Sequence, residues 1–148
     1  MREKPSYFYQ QSGVIPFRLR DGKLEVMLIT SRTRKRWIIP KGIIERDLSP
    51  AESAEMEAYE EAGIRGTLYP DLFGEYLLKK WGGTVKVQVF LLEVKKVFEN
   101  WPEDSFRERK WVSIQEAIAT VKNTRLKELF KLTEKLNREI PPSKGSND

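Results

Sequence analysis

Five of the ten residues from Glu52 to Glu61 are glutamates: Glu52, Glu55, Glu57, Glu60 and Glu61. Their positions do not all mean the same thing. Ser49 is placed to cap a helix, Pro50 suits a first turn, and Glu52 completes a capping box. Gly63 stands where a left-handed stop is expected, so the spacing predicts a helix over residues 50–62. Glu52 and Glu55 then lie in the first turns, where the helix dipole favours negative charge. Glu60 and Glu61 lie in the last turn, where it does not. Glu57 meets both at spacings of three and four, and each like-charge pair costs ~0.2–0.5 kcal/mol. A solvated face tolerates that sum. A divalent cation would instead turn the repulsion into coordination, because clustered carboxylate oxygens are what magnesium or manganese requires. Spacing alone leaves both readings open.

Opposite charge lies just upstream. Arg32, Arg34, Lys35, Arg36 and Lys41 put five cations into ten residues, running into the loop before the helix. Alone, such a stretch is a solvated basic loop or a nucleic-acid patch. Beside a carboxylate cluster it fits phosphoanhydride hydrolysis, which needs cations for phosphate oxygens and a metal to polarise phosphorus and activate water. Gly42, between Lys41 and the helix, leaves a backbone carbonyl able to approach such a metal.

Composition narrows the chemistry further. The 148-residue chain contains no cysteine and no histidine. Disulfides, thiolate sites and a cysteine nucleophile are excluded, and so is the commonest general base. Catalysis must use carboxylates, lysine, tyrosine or a hard metal ion held by oxygen. A net charge of +5 suits an anionic partner. No apolar run reaches the ~18 residues of a membrane span, and residues 1–11 lack a signal-peptide core, so the expectation is a cytoplasmic protein.

The elements that must carry these residues follow from periodicity. Residues 13–20 and 23–31 read as strands joined by a tight turn at Asp21-Gly22. Residues 36–40 form a short apolar piece. Residues 72–79 read as a strand leading through Trp81-Gly82-Gly83 into the most hydrophobic stretch, residues 84–97, apolar on both faces as a central strand requires. Residues 109–112 read as a short strand. Two further helices are expected over residues 114–122 and 124–138, the second with Leu126, Leu129, Phe130 and Leu132 as its apolar stripe. One domain over residues 1–140 and a disordered tail over 141–148 complete the reading.

The 23 residues from Gly42 to Ile64 resemble the Nudix box, G-x5-E-x7-R-E-U-x-E-E-x-G-U, in which U is aliphatic. Gly42, Glu57, Ala58, Glu60, Glu61, Gly63 and Ile64 fall on motif positions. Leu48 stands where the motif has its first glutamate and Met56 where it has arginine. Those two motif residues read as an ion pair tying loop to helix. With both partners apolar an unpaired buried charge is avoided, and Leu48 is expected to pack on Met56. Glu45 is a weaker substitute for the missing acid.

The likeness extends over residues 11–132. Ile29-Thr30-Ser31-Arg32 with Trp37-Ile38-Ile39-Pro40 is similar to the Nudix branch that hydrolyses diphosphoinositol polyphosphates and diadenosine polyphosphates. Similar too is Trp101-Pro102-Glu103-Asp104, followed by Arg107, Arg109, Trp111 and Glu116-Ala117-Ile118. The resemblance implies an α/β fold, an α/β/α sandwich around a mixed β-sheet, with magnesium as cofactor and manganese as the alternative. By position, Glu57, Glu60 and Glu61 become catalytic metal ligands with Gly42, and Ser31, Arg32 and Lys41 face substrate phosphates. Animal members of that branch carry a basic cluster just before the first strand, where this chain has Tyr9-Gln10-Gln11. The expected partner is therefore a small phosphorylated anion, foremost a dinucleoside polyphosphate, ahead of an inositol pyrophosphate and ahead of nucleic acid. A non-catalytic nucleotide- or RNA-binding module is the alternative of another class, and RNA 5′-end processing is a third reading. Further candidates are Glu75 and Glu93 as ligand or base, and Tyr7, Phe8, Tyr9, Trp37 and Trp81 as stacking partners.

Overall fold

The computed structural model describes residues 3–139; the tail expected from residue 141 lies outside them. Strands β1 (Gln10–Arg20) and β2 (Lys23–Thr30) form the expected hairpin, with Phe17 opposite Val26 and Arg20 opposite Lys23. Asp21 and Gly22 both take positive φ, 52° and 77°, the geometry whose twist matches the flanking strands. The short β3 (Trp37–Ile38) pairs with β2, and β4 (Lys41–Ile43) pairs with β1. Helix α1 (Pro50–Glu57) continues as a π-helical turn, Ala58–Ala62. Then come β5 (Ile64–Leu68), β6 (Gly74–Lys80), β7 (Gly83–Val97), β8 (Arg109–Ser113), α2 (Ile114–Thr120) and α3 (Thr124–Glu139).

At the centre β1 and β7 run parallel, from Gln10 opposite Lys86 to Phe17 opposite Glu93. Their other neighbours are antiparallel, so the sheet is mixed. Strand alternation sends apolar residues to both faces. Val14, Met27, Ile29, Phe90 and Leu92 meet Ala54, Ala58 and Ala62 of the helix on one face. Ile15, Val26, Leu28, Val87 and Val89 meet Ala117, Leu126, Leu129 and Phe130 on the other. This is the expected α/β/α sandwich. Alanines four residues apart let the first helix lie close on the sheet.

Three expectations change in detail. Leu132 is 38% exposed rather than part of the α3 stripe, and Thr133 is buried in its stead, its hydroxyl donating to the Leu129 carbonyl at 2.8 Å. The first helix is not uniformly α-helical to Ala62. Residues 41–43, read as loop, are a strand, and that strand fixes Lys41 and Gly42 against β1.

Candidate active site

The capping box forms as expected: the Glu52 N–H donates to Ser49 Oγ at 3.1 Å and the Ser49 N–H to Glu52 Oε1 at 2.9 Å. The other end carries two glutamates against the dipole, and the loop after β7 with the first residue of β8 supplies what that end lacks. Trp101 Nε1 donates to the Glu61 carbonyl at 3.0 Å, Arg109 Nη1 to the Ala62 carbonyl at 2.7 Å, and the Glu103 N–H to the Glu60 carbonyl at 3.1 Å. Orphan helix carbonyls thereby gain donors, two of them on residues flanking a buried arginine. Gly63 takes φ 66° to end the turn, where a Cβ would lie 2.7 Å from Arg109 Nη1.

The three glutamates have different surroundings. Glu61 is 7% exposed and anchored at both oxygens: Oε1 accepts from the Lys41 N–H at 3.0 Å, and Oε2 lies 3.1 Å from Arg107 Nη2. Arg107 is itself buried, holding Glu103 Oε1 through Nε and Nη2 at 2.9 Å and the Thr30 carbonyl through Nη1 at 2.9 Å. Glu57 is 9% exposed, yet its carboxylate has no hydrogen bond or ion pair among the described residues. It lies over Gly42, where a Cβ would come within 2.3 Å of its Cδ. Glu60 is half-buried and likewise without a side-chain bond. The segment that carries Glu60 and Glu61 is a π turn, Ala58–Ala62, a feature frequent at functional sites.

All three line one cleft of about 1210 Å³, together with Gly42 and the predicted phosphate contacts Ser31, Arg32 and Lys41. Lys35 and Arg36 also line it, whereas Arg34 turns away, donating to the carbonyls of Ser105 and Phe106. Trp37 and Trp81 line it; Tyr7, Phe8 and Tyr9 do not, and Phe8 and Tyr9 pack edge-on against Trp81. Glu45, Glu75 and Glu93 stand outside it, the last two near Lys86 and Lys95. Sequence reasoning gave no site role to Gln11, Lys79, Lys80, Glu103 or Arg107, which also line it. The only local signal for Arg107 was its spacing of four from Glu103.

Charge balance in the cleft is strained in both directions. Burial, then Glu61 and Glu60, push the Glu57 carboxyl up to about 8. Burial pushes Glu61 up to about 7 against the pull of Arg107 and the Lys41 N–H. Burial and the nearby Lys80 bring the Lys41 ammonium down to about 8.

A model described as the NUDIX domain matches residues 10–133. The chain belongs to the Nudix family. Nudix hydrolase 21, chloroplastic, of Arabidopsis thaliana is 39% identical over 127 residues, covering 82% of this chain and 64% of that protein. Diphosphoinositol polyphosphate phosphohydrolase 3-alpha of Mus musculus is 36% identical over 118 residues, covering 77% and 70%. The C. elegans Ap4A hydrolase crystal structure aligns with TM-score 0.73 at 20% identity, covering 86% of this chain and 97% of that one, a likeness of fold. The chain spans just under two thirds of some of these relatives, 64% for Nudix hydrolase 21.

Nudix hydrolases generally use divalent cations, and the donor set here can be tested against one. Among the described residues no three acidic side chains already stand in a ligating array. Three carboxylates repel one another, and Arg107 draws Glu61 aside. The remaining features fit a cation. Glu57 is a largely buried carboxylate with no hydrogen bond or ion pair among the described residues, Glu60 is three residues on and likewise unbonded, and Gly42 leaves room that any side chain would fill. Magnesium sites typically use one or two carboxylates and complete their shell with water and phosphate.

Proposed function

We propose that this chain is a metal-dependent Nudix pyrophosphohydrolase that cleaves a phosphoanhydride bond in a nucleoside diphosphate-linked substrate, foremost a dinucleoside polyphosphate. One observation carries the reading: Glu57, largely buried and in no ion pair among the described residues, stands with Glu60 and Glu61 in a cleft that also carries Arg32, Lys35, Arg36 and Lys41. A pure anion binder gains nothing from such a group.

Glu57 and Glu61 with Gly42 are the proposed holders of a magnesium or manganese ion; each carboxylate oxygen has two lone pairs, so Glu61 keeps acceptor capacity beyond Lys41 and Arg107. When bound, the cation neutralises phosphate charge and lowers the pKa of water. Glu60, the most open of the three, accepts the proton of the attacking water at its carboxylate. The new P–O bond forms as the bridging P–O bond breaks, and the leaving phosphate departs as an anion. Ser31, Arg32 and Lys41 receive the phosphate oxygens, with Lys41 already set against the sheet by Gly13.

An inositol pyrophosphate is the second reading, favoured by Lys79, Lys80 and Lys122 on the cleft wall. They offer cations that the sequence before β1 lacks. The test is phosphate release from dinucleoside polyphosphates, nucleotide sugars and inositol pyrophosphates, with and without magnesium. Metal-dependent turnover of at least one class is expected, with activity lost in Glu60→Gln and Glu61→Gln while the fold is retained. Undiminished turnover in both variants sinks the assignment.

A further inference from the structure

Ser12 lies within β1, fully buried, and its Oγ is the one buried side-chain oxygen or nitrogen among the described residues without a hydrogen-bond partner. An orphan hydroxyl is a standing cost that alanine would not carry. On the same side of the strand it is followed by Val14, which packs in the apolar cluster under the first helix, and preceded by the exposed Gln10.

The register shows what lies next to it. Ser12 is opposite Gly42 in the antiparallel ladder between β1 and β4. Opposed residues raise their side chains on the same face, with Cβ atoms about 5 Å apart. Gly42 raises none, and the Glu57 carboxylate occupies that place: a Gly42 Cβ would be 2.3 Å from Glu57 Cδ and 2.4 and 2.7 Å from its two oxygens. An orphan buried donor and a carboxylate with no hydrogen bond, which lines the cleft, therefore lie on the same face of the β1–β4 pair. They are not bonded to each other in the structure; the serine hydroxyl has three staggered positions about its χ1 bond.

We propose that Ser12 is a positioning residue for Glu57: its hydroxyl donates, directly or through one water, to the Glu57 carboxylate and fixes the orientation in which it receives a cation. The inference rests on the metal-dependent reading above and adds a residue outside the Nudix box. Hydrogen bonds to an ionised partner are the stronger ones, so their loss is measurable.

The experiment measures Mn2+ binding alone, by calorimetry, and thermal stability of the metal-free protein, for the natural chain, Ser12→Ala and Ser12→Thr. Ser12→Ala is expected to weaken Mn2+ binding about tenfold with an unchanged or higher melting temperature, and Ser12→Thr to stay within about twofold of the natural chain. Unchanged affinity in Ser12→Ala overturns the proposal. So does equal weakening in the alanine and threonine variants, or a fall in affinity matched by a drop of several degrees in the metal-free protein, since either points to packing. A natural chain that binds no Mn2+ overturns the metal reading itself, and this inference with it.

Discussion

Arg107 Nη2 stands 3.1 Å from Glu61 Oε2, with 4% of the arginine side chain and 10% of the glutamate's exposed. The arginine is the hub between the helix end and the loop after β7, since it also holds Glu103 and the Thr30 carbonyl. Removing it leaves buried carboxylates without compensation. Arg107→Ala is expected to cost about 3–5 kcal/mol in urea unfolding. Arg107→Lys should fall between, because an ammonium keeps the charge but loses the planar fork. A loss below about 1 kcal/mol in the alanine variant would show that the pair is not what holds the site.

Gly42→Ala separates the site from the fold. The added Cβ meets the end of a flexible side chain, Glu57, rather than backbone. The carboxylate must swing away, while β4 can keep its pairing with β1. Melting temperature should change little. Activity should fall about 100-fold or more, the loss expected when a reacting group is misplaced by an ångström. Equal activity in Gly42→Ala would mean that the Glu57 position is immaterial.

Local chemistry made much of this fold readable. Ser49, Glu52 and Gly63 mark the ends of the first helix through backbone capping, and Asp21-Gly22 marks a hairpin through positive φ. Segments with weak local signals were missed. Ile64–Leu68 has few apolar residues because only part of it is covered, and it becomes a strand by pairing with β7. Lys41–Ile43 is too short to show a period. Arg107 is one of 27 basic residues, and only tertiary burial sets it apart. Glu57, Glu60 and Glu61 were visible as a group, but that Glu61 is tied and Glu57 is not depends on contacts from 20 to 46 residues away.

The apolar replacements in the motif can be tested as a pair. Leu48 precedes the helix and Met56 lies near the end of α1, and both are half-buried. If they pack together, Leu48→Glu and Met56→Arg should each destabilise the chain, and the double variant should recover part of the loss as the charges pair. A coupling of about 0.5–3 kcal/mol from a double-mutant cycle is expected. Additive effects within about 0.3 kcal/mol would show that the two side chains are independent.

The raised carboxyl values give the metal-free protein a definite pH profile. Glu57 moves from 4.5 to about 8 and Glu61 from 4.5 to about 7 on folding, chiefly through burial. A folded value above the unfolded one means that folding favours the protonated acid. The stability these groups contribute is therefore complete below about pH 4.5 and is lost as pH rises through 7 and 8. Lys41, lowered to about 8, acts the other way at higher pH: its burden eases as the ammonium deprotonates between about 8 and 10.5. Urea midpoints in chelator should fall from pH 5 to 8, and Glu57→Gln should flatten much of that slope. Cation affinity should move oppositely, rising over the same interval as Glu57 ionises, because the ligand must be deprotonated to bind. A metal-free midpoint that does not fall between pH 5 and 8 would show that Glu57 is already ionised and solvated in the folded chain.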